Sequence, residues 1–246
     1  MLEIKEKRKK PKGLFLNLIK KVGKAIYDYN MIENNDRICV AVSGGKDSLS
    51  LLKLLDERKR FVPIKYELLA LHIDMGYSCI QPKILEEYFK KNNYNYHIER
   101  IDILRETKIE DLSCFWCSWN RRKAIFKTAE KFGCNKVALG HHFDDIIQTI
   151  LLNLFFHGEI SSMSPKQELF EGKLTIIRPL CYIEERLLEA FSKRCNFPSP
   201  KCICPNSLDS KRTLIENIIR ELAKVDPKIK KNIFMSVKRI KKDYLL

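Results

Sequence analysis

The spacing of apolar positions alternates between a strand period and a helix period along most of the chain. Arg37 to Val42 (RICVAV) is a near-continuous apolar run that stops at Ser43-Gly44-Gly45, the pattern of a strand covered on both faces. Asp47 to Leu55 then sets Leu49, Leu51, Leu52, Leu54 and Leu55 on a helical face. The same alternation predicts strands over Leu68 to Ile73, Tyr94 to Ile101, Lys136 to Leu139 and Leu174 to Leu180. Helices are predicted over Ile84 to Phe89, Asn120 to Phe132, Asp144 to Phe156 and Glu184 to Cys195. Strand and helix in turn predict an α/β fold, a doubly wound and mostly parallel sheet with helices on both faces. Such sheets take their ligands at the carboxyl ends of the strands. Two flanks break the alternation. Leu14 to Tyr29 predicts an amphipathic helix (Leu14, Leu18, Ile19, Val22, Ile26, Tyr29). Leu214 to Leu222 predicts another, and after Pro227 the chain reads as a basic tail. The expected organisation is therefore an N-terminal basic segment and helix over 1–35, an α/β domain over 36–200, and a cysteine-containing basic helical segment over 201–246. No internal repeat or Ser/Gly-rich linker interrupts it.

Composition narrows the class. With 45% apolar residues in 246 the chain is no disordered segment, and nine glycines and nine prolines exclude collagen-like and low-complexity classes. No apolar run approaches the roughly 18 residues of a membrane span, so no membrane partner is expected. The charged N-terminus lacks a secretory cleavage pattern, and a cytoplasmic location is expected. In that reducing setting the odd count of nine cysteines is not a disulfide framework. The formal charge of +15 asks for a polyanion.

The chemistry-bearing segments sit where strands end. Ser43-Gly44-Gly45-Lys46-Asp47-Ser48 follows a buried strand and opens a helix. Glycines let the backbone curl towards a ligand, the helix N-terminus offers free N–H groups, and Lys46 adds a full positive charge. These features make an anion site. The spacing is neither that of the Walker A loop nor that of the dinucleotide fingerprint. Gly140-His141-His142-Phe143-Asp144-Asp145 ends a second strand and opens a second helix. Its vicinal carboxylates suit a hard cation such as Mg²⁺, although Asp144 also suits a helix cap. Cys114-Phe115-Trp116-Cys117 is a C-x-x-C pair, open to redox, zinc and cluster chemistry alike. Cys202-Ile203-Cys204 is a later group with a single intervening residue, and the remaining five cysteines read as packed residues. Phe115, Trp116 and Trp119 near the first pair could stack an unpaired base.

The SGGKDS run resembles the PP-loop of the N-type ATP pyrophosphatases, which cleave ATP between the α and β phosphates and adenylate a substrate. That resemblance implies an ATP site at Ser43, Gly44, Gly45, Lys46, Asp47 and Ser48. It is joined by His72, Ile73 and Asp74 after the second strand, Asp74 suiting a cap before Gly76 equally well. The Gly-His-x-x-Asp-Asp segment is similar to that of lysidine synthetases and tRNA thiolases. It adds Gly140 and His141 to the nucleotide site and makes Lys46, Asp47, Asp144 and Asp145 the expected catalytic residues. Those relatives usually carry Glu-Thr three residues later, where this chain has Gln148-Thr149.

Over nearly its whole length the chain resembles the tRNA 2-thiocytidine biosynthesis family. Its segments at Lys24 to Asp36, at Cys114 to Arg122, at Ala138 to Asp145, at Ser162 to Lys166 and at Arg178-Pro179-Leu180 fit that family in order. The resemblance implies ATP, Mg²⁺ and a 4Fe-4S cluster on three cysteines. Cys114 and Cys117 map directly; the third falls on Cys204, counted back from Arg212, with Cys202 in reserve. It also implies tRNA as substrate, with Arg121, Arg122, Lys166 and Arg212 as RNA contacts, and a cysteine desulfurase or sulfide as sulfur donor. A homodimer is left open. The expected reaction is adenylation of the C2 oxygen of a tRNA pyrimidine, a cytidine first among them, and its replacement by sulfur. Two rivals remain in view at this point: a lysidine-synthetase-like ligase, which needs no cysteines, and a non-enzymatic zinc-containing nucleic-acid-binding protein.

Overall fold

The structure is a computed structural model that describes residues 13–76, 82–101, 114–198 and 211–244. Six strands form one sheet in the order β3-β2-β1-β4-β6-β5. They are β1 (Asp36–Ala41), β2 (Tyr66–Asp74), β3 (Tyr96–Arg100), β4 (Lys136–Ala138), β5 (Lys166–Leu169) and β6 (Leu174–Ile177). Strands β1, β2, β3, β4 and β6 run parallel, and only β5 is antiparallel, beside β6. The helices are α1 (Leu14–Asp28), α2 (Lys46–Arg58), α3 (Pro82–Lys91), α4 (Cys114–Lys131), α5 (Phe143–His157), α6 (Glu185–Cys195), α7 (Lys211–Val225) and α8 (Ile229–Ser236). The expected α/β class and mostly parallel sheet are present.

The sheet progresses outward from β1 to β3 and then returns to place β4 on the other side of β1. The strand order therefore reverses between β1 and β4. Ligands of open α/β sheets bind at this switch point, outside the strands' carboxyl ends. The two motif segments, Ser43–Ser48 and Gly140–Asp145, directly follow these two strands.

The two sheet faces are covered unequally. Alternation along β1 sends Ile38 and Val40 to one side and Cys39 to the other. The first side holds the main core, with Leu18 and Val22 of α1, Leu51 and Leu55 of α2, Phe89 of α3, Ile147 of α5, Leu188 of α6, Ile215 of α7 and Phe234 of α8. On the second side the buried helical residues are Ala124, Ile125 and Ala129, all from α4. Among the described residues, α4 alone covers that face.

Three elements depart from the pattern-based expectation. Strand β5 (KQEL) was not foreseen, because an edge strand with exposed Gln167 and Glu168 has no apolar run to betray it. The basic tail contains helix α8, whose buried Phe234 anchors it between Phe143 and Tyr182. Helix α4 starts at Cys114, not at Asn120, so the cysteine pair belongs to its first turn. Among the described residues no helix is long and apolar enough to cross a membrane.

Candidate active site

The loop after β1 is shaped by its own hydroxyls. Gly44 has φ 90, a left-handed conformation in which a side chain is strained. The Ser43 N–H donates to Ser48 Oγ at 3.2 Å, the Gly45 N–H to Ser43 Oγ at 3.3 Å, and the Ser48 hydroxyl to the Gly45 carbonyl at 2.9 Å. These bonds fold the loop back over the first turn of α2 and leave that helix's N-terminus as its anion-binding end. The loop after β4 packs tightly on it. A Cβ on Gly140 would lie 3.1 Å from the Ser48 nitrogen and 3.2 Å from the Asp47 carbonyl carbon, so only glycine fits without displacing α2.

Between the loops lies a cavity of about 340 Å³, bordered by Ser43, Asp47, Ser48, His72, Arg121, Gly140, His141 and Asp145 among others. Its electrostatics follow from a few contacts. Asp47 Oδ1 is buried with no hydrogen-bond partner, and burial raises the Asp47 pKa against the pull of His142 and Lys46. His72 is buried, and its Nδ1 meets the Val42 carbonyl at 2.8 Å. A carbonyl only accepts, so Nδ1 carries the proton and the unpartnered Nε2 is an acceptor. Desolvation lowers the His72 pKa, which keeps the ring neutral. His141 has the opposite tautomer. The Arg178 Nε–H donates to its Nδ1 at 3.2 Å, leaving the proton on Nε2. Burial first, and Arg178 second, push the His141 pKa down to about 4. The cavity thus has one neutral imidazole that accepts and one that donates.

Lys46 Nζ lies 2.7 Å from Glu185 Oε1 and 3.5 Å from Asp47 Oδ2. Burial works against its charge, but the two carboxylates outweigh burial and raise its pKa. Asp74 accepts from the Gly76 N–H at 3.0 Å, which is the capping geometry, and Ile73 borders the cavity.

The vicinal carboxylates diverge. Asp145 borders the cavity, accepts from the His142 N–H at 3.0 Å and has Arg212 at 3.6 Å. Asp144 turns away: it accepts from the Glu185 N–H at 2.7 Å and from Lys230 Nζ at 2.6 Å. It therefore holds the start of α6 and the start of α8. Asp144→Ala is expected to lower unfolding free energy by about 2–4 kcal/mol, because Lys230 and an amide lose their partner. Asp145→Ala is expected to lose rate and to cost less stability, about 0.5–2 kcal/mol, because the His142 N–H at the start of α5 loses its acceptor. Urea unfolding and a pyrophosphate-release assay on both variants separate the two roles.

The expected RNA contacts scatter. Arg121 borders the cavity and donates to Met75 Sδ at 3.1 Å. Arg122 is exposed on a different flank of α4, Lys166 lies in β5 at 3.6 Å from Glu168, and Arg212 faces Asp145. Cys117 is half-buried on the first turn of α4, while Cys202 and Cys204 lie outside the described residues. Among the described residues, no group of three or more His, Cys, Asp or Glu side chains is arranged for a metal ion. Arg178, Glu185 and Lys230 had no assigned role from sequence. The signal for Arg178 was an arginine closing an apolar run, and it is buried, with Nη1 donating to the Ser164 carbonyl.

Residues 15–198 match the PP-loop domain family. A tRNA-cytidine(32) 2-sulfurtransferase of Geotalea uraniireducens is 39% identical over 239 residues, 95% of each chain. One of Geobacter sulfurreducens is 39% identical over 92% of this chain and 90% of its own. The chain belongs to the tRNA 2-thiocytidine biosynthesis family of PP-loop proteins. The fold has a solved counterpart in a U34-tRNA thiolase of Methanococcus maripaludis with its [4Fe-4S] cluster. That chain superposes with a TM-score of 0.77 at 23% identity, covering 92% of this chain and 78% of its own. The matched PP-loop domain contains both the loop after β1 and the loop after β4. The orphaned Asp47 Oδ1 and the free helix N-terminus fit a magnesium-bound triphosphate. Cys117, half-buried one turn after Cys114 at the head of α4, suits part of a cluster's ligand set.

Proposed function

We propose that the protein is an ATP-dependent tRNA sulfurtransferase that converts a cytidine to 2-thiocytidine. The observation that carries this reading is the position of α4. Arg121 borders the nucleotide cavity, and Cys117 precedes it by four residues, about 6 Å of helix rise. Adenylation and thiol chemistry therefore share one helix. Names of relatives at 39% identity support the substrate.

In the proposed reaction the C2 oxygen of the cytidine attacks the α-phosphate of ATP and pyrophosphate leaves. Sulfur then adds at C2, and AMP departs with the oxygen. The amides of the α2 N-terminus and Lys46 hold the leaving pyrophosphate, a stabilisation that grows as charge develops. Asp47, through its unpartnered oxygen, is the residue for Mg²⁺, whose role is to neutralise phosphate charge. His141 donates from Nε2 to a phosphate oxygen, and His72 accepts from the nucleoside. Cys114, Cys117 and a third cysteine, Cys204 or Cys202, would hold the 4Fe-4S cluster, which would supply the site that carries sulfur. The sulfur arrives at the sulfide level, either as free sulfide or from a cysteine desulfurase whose persulfide is reduced by a two-electron thiol reductant.

Nucleoside analysis of tRNA from cells lacking this protein tests the reading. 2-Thiocytidine is expected to vanish and to return with the intact gene; an unchanged profile would refute it.

A further inference from the structure

A second concavity lies on the other flank of α4. Its volume is about 810 Å³, and it runs between α4, the turn before β4 and the β5–β6 hairpin. Among the described residues α4 alone covers this sheet face, and the concavity lies along its outer flank. On α4 the residues that border it are Trp119, Arg122, Lys123, Phe126, Lys127 and Glu130, a stripe at spacings of three and four. Arg121 and Ile125, on the neighbouring stripe, border the nucleotide cavity instead. One helix thus separates the two concavities.

The chemistry of this groove is aromatic at its walls and cationic at its rim. Trp119 is 57% and Phe170 60% exposed, large values for rings of a folded protein. Phe170 is held in a left-handed conformation (φ 52) at the hairpin turn, a region that bulky residues rarely adopt. It meets Phe126 edge-on at 6.0 Å and 83°. Arg122, Lys123, Lys127 and Lys173 surround these rings, against the single carboxylate of Glu130.

We infer that this groove is a binding site for single-stranded or looped RNA, taking a part of the tRNA away from the reacting base. The inference rests on the tRNA reading above and extends it to a surface. Every base has a face that stacks on an aromatic ring, and every linkage has a phosphate for a lysine. Charge argues against a second copy as occupant: each chain carries +15, and this rim would meet like charge. The groove follows α4 from near the cysteine pair to Glu130. RNA lying in it is therefore guided along the same helix that opens at the site of chemistry.

The test is tRNA binding by the purified full chain, with ATP binding and sedimentation measured on the same samples. Lys127→Glu/Lys173→Glu is expected to weaken tRNA at least about tenfold and to lower the slope of log affinity against log salt by about two. Phe170→Ala is expected to weaken it about tenfold with no change in slope. Lys20→Glu, an exposed charge reversal on α1 with half the charge change of the double variant, sets the scale for the effect of net charge and is expected to change binding about twofold or less. ATP affinity is expected to stay at the wild-type value throughout. Wild-type binding of tRNA with groove variants no weaker than Lys20→Glu overturns the groove and leaves the tRNA reading intact. Failure of the wild type to bind tRNA overturns both. A wild-type dimer that the groove variants break apart shows an interface between copies and overturns the inference.

Discussion

Replacing Cys117 by serine is expected to abolish 2-thiocytidine formation while leaving tRNA-dependent pyrophosphate release within a few-fold of wild type. The thiolate is the group that grips iron, and serine keeps the size but not the softness. Cys117 stands on the first turn of α4, clear of the residues that border the triphosphate end of the cavity. The two half-reactions should therefore separate. Iron content and visible absorbance after anaerobic reconstitution are expected to fall together with thiolation. Full thiolation by Cys117→Ser would instead remove this cysteine from the sulfur step.

Lys46→Ala is expected to slow pyrophosphate release by about 10²–10³-fold, the usual effect of removing one charge-stabilising donor at a reacting phosphate. The present geometry has a second consequence. Lys46 is bound to Glu185 at 2.7 Å, so a triphosphate must compete with that carboxylate for the ammonium group. Glu185→Gln, which keeps the shape and removes the charge, is expected to lower KM for ATP a few-fold. Steady-state kinetics on both variants check the pair. A Lys46→Ala enzyme within threefold of wild type would remove the lysine from the phosphate site.

The frame of the molecule was readable because its strands are near-continuous apolar runs and its functional loops break them with Gly and charge. What the sequence left ambiguous was direction. Neighbours on a helix point about 100° apart, and of Asp144 and Asp145, as of Arg121 and Arg122, one member borders the nucleotide cavity and the other does not. In each pair one residue faces the nucleotide cavity, Asp145 and Arg121, and the other faces elsewhere. Nothing in a vicinal pair says which. Asp74 and Asp144 illustrate how an acid at a strand or helix boundary serves the backbone as readily as a ligand. Strand β5 escaped notice because a solvent edge needs no apolar face, and α8 because a single buried phenylalanine anchors eight residues.

The contact of Lys230 with Asp144 limits how this chain can be cut. Lys46, Glu185, Asp144 and Lys230 come from four separate stretches, yet each touches the next. A chain ending before α8 would leave Asp144 without its lysine, two bonds away from the PP-loop. The last helix is thus part of the frame on which the nucleotide loop is built. A boundary drawn where the PP-loop match ends, at residue 198, would sever that frame.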